Sequence, residues 1–218
     1  MKLTKYTHAC VRLEKDGRVL VLDPGNFSEC GEALDGADAV LVTHEHTDHI
    51  DKPAVAGAMG GNPGLELFAP EGVAAGMRTE APAAAGRIHT VEPGSAFEAA
   101  GFKVRSFGSQ HALIHPQIPL VANIGYLVDD NVFHPGDSFT VPDGVAVRTL
   151  LVPLHAPWSK VAEVVDFVIA VRAPRAFQVH DGLLNDNGLG IVESHVRRIG
   201  AKYGTEYAHL APREWVEV

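Results

Sequence analysis

Apolar residues recur along this chain in two rhythms, and the alternation between them divides it into strands and helices. Period-two segments open it: Lys2 to Thr7, then Ala9 to Glu14 and Arg18 to Leu22, the last two joined by Asp16-Gly17, a dipeptide that type I′ hairpin turns prefer. Asp23-Pro24-Gly25 stops the third segment. A loop leads to Ala39-Val40-Leu41-Val42, a continuous apolar run of the kind found in strands covered on both faces. A helix is expected from Lys52 to Met59, with Asp51 as N-cap and Pro53 in its first turn, ending at Gly60-Gly61. Leu65 to Ala69 then reads as a strand and Glu71 to Thr79 as a helix.

Strands follow at Arg87 to Val91, Ala96 to Ala99 and Phe102 to Phe107, and the proline-bearing segment Gly108 to Pro119 reads as loop. Ala122 to Val128 and Asn131 to His134 form a second hairpin turning at Asp129-Asp130, before a polar break at Pro135-Gly136-Asp137-Ser138. Leu150-Leu151-Val152 is a buried strand. Val161, Val164, Val165 and Val168 then keep helical spacing up to Arg172, where Pro174 ends the helix. Phe177 to Val179 is a short strand running into His180-Asp181. Leu189, Val192, Val196, Ile199 and Tyr203, at steps of three and four, mark one packing face of a last helix. No linker, repeat or low-complexity tract interrupts the pattern, so residues 1–218 read as a single α/β domain with polar breaks at the ends of buried strands, where loops on a rigid scaffold usually carry chemistry.

Composition narrows the class. A chain of 218 residues can bury a sizeable core without disulfides. Its two cysteines, Cys10 and Cys30, form no Cys-x-x-Cys pair and read as packed thiols of a reduced compartment, with Cys30 near a pocket rim. The N-terminal residues lack the long apolar run of a secretory signal and no stretch is apolar enough to cross a membrane, so a cytoplasmic protein is expected. A formal charge of −9 argues against nucleic acid or an anionic membrane as the main partner and leaves a small-molecule substrate, with homo-oligomerisation open. The unusual figure is 12 histidines, the residue that most often binds metals.

They concentrate in Thr43-His44-Glu45-His46-Thr47-Asp48-His49, directly after the run Ala39 to Val42: three imidazoles and two carboxylates within six residues. On a loop leaving a strand, residues at i and i+2 can turn to one cation while the following Asp-His pair turns to a neighbouring point, so the segment can serve two ions. Imidazole and carboxylate suit zinc, iron or manganese. His111, Asp137 and His180 each follow an expected strand or open a polar break. His115, four residues on from His111, competes with it for the same role; His111 is preferred because it comes sooner after a strand.

With this motif the chain resembles the metallo-β-lactamase-fold hydrolases over essentially its full length. The flanks Tyr6-Thr7-His8-Ala9-Cys10 and Asp23-Pro24-Gly25 look most like the compact ascorbate-6-phosphate lactonase-like branch. The resemblance implies a four-layer αβ/βα sandwich with a dinuclear site at one edge of two facing sheets. Carried over by position, His44, His46 and His111 would hold one metal, Asp48, His49 and His180 the second, and Asp137 would bridge them. The ions are expected to be two divalent metals, zinc first, with manganese or iron compatible. A metal-bridging hydroxide, oriented by Asp48, would attack an ester, lactone or phosphodiester bond. His155 is a candidate general acid toward the leaving group, Trp158 a pocket wall, and His8 and His115 further substrate-binding candidates. Asp23 and Glu45 are candidates to support the ligating imidazoles. His89, His195 and His209 are read as surface or packing residues, and His134 as a strand-end residue beside Asp137.

The resemblance admits two other functions. A redox di-iron enzyme of this fold would place a glutamate where His46 stands and append a flavin domain. A non-catalytic metal-binding or sensing protein would be expected to lose acidic members such as Asp48 or Asp137. Hydrolysis ranks above both, with specificity expected from the short loops around Phe27, His115 and His155.

Overall fold

In the computed structural model, which describes residues 1–218, four layers are stacked by simple alternation. The strands of the first half are β1 (Lys2–Lys5), β2 (Val11–Lys15), β3 (Arg18–Leu22), β4 (Ala39–Leu41), β5 (Glu66–Ala69) and β6 (Ile88–Thr90). Its helices are α1 (Cys30–Ala33), α2 (Lys52–Gly61) and α3 (Glu71–Glu80). The second half contributes β7 (Ala96–Ala99), β8 (Phe102–Phe107), β9 (Gly125–Val128), β10 (Val132–His134), β11 (Thr149–Pro153), β12 (Arg175–Val179), β13 (Glu206–Ala208) and β14 (Trp215–Glu217), with α4 (Val161–Val171) and α5 (Asp186–Gly200). Two seven-stranded sheets result, in the orders β14-β1-β2-β3-β4-β5-β6 and β13-β12-β11-β10-β9-β8-β7.

Each half runs antiparallel through its opening strands and parallel thereafter: β3 to β6 are parallel in one sheet, β10 to β13 in the other. The sequence shows no repeat, yet the two halves repeat one topology. The hairpin at Asp16-Gly17 pairs Lys15 with Arg18, with Asp16 at φ 53° and Gly17 at φ 75°, as a I′ turn requires.

Alternation decides which layer each side chain enters. On β3, Val19 and Val21 face outward to Val55, Met59 and Met77 of the helical layer, while Leu20 and Leu22 face the opposite sheet. On β11 and β12, Leu150, Val152 and Ala176 meet Val164, Val168 and Val196 outside, and Leu151, Phe177 and Val179 enter the middle layer. A strand covered on both faces needs apolar residues throughout, which is why these read as unbroken runs. The four-layer α/β sandwich is thus present as the resemblance implied.

The differences from the sequence reading are local. β1 stops at Lys5 and β2 starts at Val11, because the segment between them forms a turn with His8 at φ 65°. The last helix ends at Gly200, and Tyr203, expected on its packing face, is 48% exposed. α1, β13 and β14 were not foreseen; their three- and four-residue lengths leave too little periodicity to read. Asp51 caps α2 by accepting from the Ala54 N–H at 3.0 Å, as expected.

Candidate metal centre

The parallel strands β4 and β12 point their C-terminal ends at the same edge of the sandwich, together with β10 and the turn after β1. Each strand ends in a loop, and the loops deliver eight ligand-type side chains to one place. They fall into two quartets, His44, His46, His111 and Asp137, and His8, Asp48, His49 and His180; within each, the candidate donor atoms lie within 4.8 Å of one another. Seven of the eight are among the residues singled out in the sequence as candidate ligands, and the structure brings them together, with Asp137 facing residues of both groups. Asp137 Oδ1 is 3.0 Å from His49 Nε2, while its Oδ2 is 3.3 Å from His111 Nε2 and 3.2 Å from His180 Nε2.

Ring tautomers are set from behind. His49 donates Nδ1–H to Asp23 Oδ2 at 2.7 Å, His111 to the Ala112 carbonyl at 2.5 Å, and His180 to the His155 carbonyl at 2.6 Å. Thr43 donates its hydroxyl to Asp23 at 2.7 Å and accepts from His44 Nδ1–H at 3.0 Å. In all four rings Nδ1 is occupied, so the Nε2 lone pair is left to face inward, the usual arrangement of metal-binding imidazoles. His44 Nε2 and His46 Nδ1 sit 3.1 Å apart, close enough for both nitrogens to reach one cation. His49 Nε2, His111 Nε2, His180 Nε2 and Asp137 Oδ1 are buried with no hydrogen-bond partner. Buried polar atoms are normally satisfied, so four orphans converging on one point match what a metal site requires.

Electrostatics agree. Burial holds the His44 imidazole well below its ordinary value, which keeps it neutral and ligand-competent. Burial acts the same way on His49 and His180, but carboxylates override it: Asp137 and Asp23 hold His49 well above, and the charges of Asp137 and Asp48 beside its Nε2 push His180 up to about 9. Burial would raise both carboxyls, yet the surrounding imidazoles keep Asp48 and Asp137 low and ionised. Protons here stand where cations would bind.

The backbone is bent to make this possible. His8, Asp23 and His180 all have positive φ, at 65°, 48° and 56°, a region sparsely used by residues with a Cβ and characteristic of functional sites. Two glycines are required by close approach. A Cβ on Gly25 would lie 1.8 Å from the Asp48 carbonyl oxygen; one on Gly136, at φ 62°, would lie 2.3 Å from Asn123 Oδ1, the acceptor for the Asp137 N–H. His134 joins the sheets behind the site, donating to the Ala9 carbonyl at 2.9 Å and accepting from the Gly136 N–H at 3.1 Å.

The second-rank candidates separate. His8, expected as a substrate contact, is fully buried in the second quartet; it accepts from the Gly182 N–H at 3.2 Å through Nδ1 and donates to Asp48 Oδ2 at 3.0 Å through Nε2. Trp158 lines the cavity and donates to Asp137 Oδ2 at 2.8 Å. His155 reaches the site through its carbonyl, and its side chain is not among those lining the cavity. His115 is exposed and accepts from its own turn, the Gln117 N–H, at 3.1 Å. Asp23 stands behind the ligands, whereas Glu45 is exposed beside Gly72. The supporting roles of Thr43, Asn123, Gly136 and Gly182 were not read from sequence. Only the Gly136 signal, a glycine directly before a candidate ligand, was visible there.

This edge-on site between two covered sheets defines the class: a metal-dependent hydrolase of the metallo-β-lactamase fold. The chain belongs to the β-lactamase superfamily domain family, whose profile matches residues 2–180. It is 38% identical over 196 residues to protein Rv0786c of Mycobacterium tuberculosis, covering 88% of this chain and 89% of that one. Among solved structures it resembles Igni18, a metallo hydrolase from Ignicoccus hospitalis, with a TM-score of 0.73 at 17% identity over 99% of this chain and 97% of the other. It also resembles CmlA, a diiron β-hydroxylase from Streptomyces venezuelae, with a TM-score of 0.75 at 14% identity, over all of this chain and 54% of that longer one.

Proposed function

We propose that this protein hydrolyses an ester, lactone or phosphodiester bond of a small molecule at a centre of two divalent metals. The observation that carries the reading is the set of four buried, partnerless ligand atoms lying where the two quartets meet. His44, His46 and His111 would hold one ion, His49, His180 and Asp48 the other, and Asp137 would reach both. When bound, such ions lower the pKa of water and polarise the substrate oxygen.

The chain's own residues do the rest. Asp48, ionised and held at Oδ2 by His8, accepts a proton from the attacking water; the other Asp48 oxygen remains for ligation. Water adds to the electrophilic centre, the bond to the leaving oxygen breaks, and that oxygen takes up a proton. Trp158 holds one Asp137 oxygen so that the carboxylate keeps its orientation. An all-nitrogen-and-oxygen donor set suits zinc and also manganese or iron. The charge of −9 and a cavity of about 230 Å³ fit a small molecule better than a nucleic acid.

Elemental analysis of the purified protein, coupled to turnover of lactones, esters and phosphodiesters, tests the reading. The expected result is close to two metals per chain and hydrolysis that a chelator abolishes. A fully active metal-free protein would overturn it.

A further inference from the structure

The cavity over the two quartets has a wall of one chemical kind. Phe27 from the loop after β3, Ile114 from the loop after β8, Pro157 and Trp158 after β11, and Leu183 after β12 line it together with the candidate ligands. Phe27 is 45% and Leu183 48% exposed. Ten large apolar side chains are exposed in the whole protein; six of them stand on the loops that carry the candidate ligands, Phe27, Leu113, Ile118, Leu120, Val141 and Leu183, and of these Phe27 and Leu183 line the cavity itself. Exposed apolar groups scattered singly need no explanation, whereas a concentration beside a concave polar centre marks a binding surface.

Charge at the same edge is one-sided. The segments 24–29, 43–51, 108–124, 135–147, 154–159 and 180–190 contain none of the chain's 18 lysines and arginines. Lys160, adjacent to one of them, is turned to Glu163 at 3.6 Å and does not line the cavity. Lys5, beneath His180, is fully buried and bound to Asp181 at 3.2 Å. A phosphate or carboxylate carried away from the scissile bond would therefore meet Asp48, Asp137 and apolar carbon, with no guanidinium or ammonium to receive it, although such groups are the usual partners of those anions.

Resting on the hydrolase reading, we infer that the substrate is an uncharged carbonyl compound, a lactone or carboxylic ester, whose alkyl or aryl portion lies on Phe27, Ile114, Trp158 and Leu183. Hydrolysis adds one water across the acyl C–O bond and yields the acid and the alcohol, with no other reactant. The apolar wall contributes binding in proportion to the carbon it removes from water, about fourfold in affinity for each methylene buried.

The test uses the metal-loaded protein and alkyl hydroxamates of two to eight carbons, whose heads bind the metals and whose tails report on the wall without turnover. Calorimetry is expected to show affinity rising about fourfold per methylene until the cavity is filled. The six-carbon hydroxamate bearing a terminal carboxylate or phosphate is expected to bind at least tenfold more weakly than its neutral parent. The double variant F27S/L183S, with metal content and melting temperature as its folding controls, is expected to flatten the slope below twofold per methylene. A wild-type slope below about 1.5-fold, or a charged tail binding as tightly as the neutral one, would overturn the proposal. So would a dimer in solution that covers these loops and excludes the longer hydroxamates. Turnover of neutral six- to ten-carbon lactones is read separately: its absence beside a steep binding slope refutes hydrolysis and leaves the apolar site standing, and turnover independent of tail length does the reverse.

Discussion

The two halves of the molecule are built alike and supply the centre in opposite ways. Each is an antiparallel set of strands leading into a parallel set, covered outside by helices. The first half delivers His44, His46, Asp48 and His49 from one seven-residue loop after β4. The second delivers His111, Asp137 and His180 from three loops as many as 69 residues apart in sequence, counting from 111 to 180. A local turn therefore presets one side of the site, while the other side exists only once β8, β10 and β12 have aligned. The two sides should fail differently when disturbed.

Asp137 should be the most costly residue to lose, because its carboxylate reaches His111 of one quartet and both His49 and His180 of the other. Asp137→Ala is expected to remove most of both metals and lower turnover by more than about 10³-fold, read by elemental analysis beside a hydrolysis assay. Retention of one full equivalent would show that the two quartets are independent. Asp48→Asn, on the preset side, should lower turnover by about 10²–10³-fold while leaving the melting temperature near wild type and at least one metal bound.

Stability is the place to separate the halves more finely. Gly25→Ala and Gly136→Ala each force a Cβ into the atoms of a ligand loop, and each is expected to destabilise the fold by about 2–4 kcal/mol, a fall of roughly 5–15 °C in melting temperature. A Gly136 variant that keeps its stability but loses metal would show that the second half can give way locally. His8→Ala removes the donor that holds Asp48 and should weaken metal binding or turnover by 10- to 100-fold, with His8→Gln recovering part of the loss.

The smallest effect expected is on pH dependence in the metal-free protein. The folded-state value of His180 is raised to about 9 by Asp137 and Asp48, against burial, so its contribution to stability is fully present below the unfolded value of about 6.5 and is lost as pH rises through 9. Thermal melts of chelated protein should fall by about 5 °C between pH 6.5 and 9, and His180→Gln should make that slope shallower, the likewise raised His49 supplying the remainder. A melting temperature that rises over the same interval would contradict the pairing.

Much of this was legible before folding. The strand runs, the hairpin at Asp16-Gly17, the cap at Asp51 and the cluster His44 to His49 could be read because each is written in neighbouring residues, while His111, Asp137 and His180 came as candidates through the resemblance. His8 was visible only as a candidate, since an isolated histidine in a turn carries no periodicity and its partners, Asp48 and Gly182, are 40 and 174 residues away. His155 was offered only through the resemblance and His115 only as a rival of His111 four residues earlier, signals that give a loop but no direction for a ring. The pairing of β14 with β1 joins the two ends of the chain, and nothing local announces it.

The sequence by itself determined the alternation that builds four layers, the contiguous histidine- and aspartate-rich loop Thr43 to His49, and the absence of cationic side chains from the segments that carry the candidate ligands. Those are properties of residue type and spacing, which survive in an unfolded chain. Tertiary structure alone decided that His8 sits behind Asp48, that Trp158 holds Asp137, that Asp23 and Thr43 set the tautomers of His49 and His44, and that Phe27, Ile114 and Leu183 share one wall. Each of those is a contact of a few ångströms between segments that only the packing of two sheets against each other brings together.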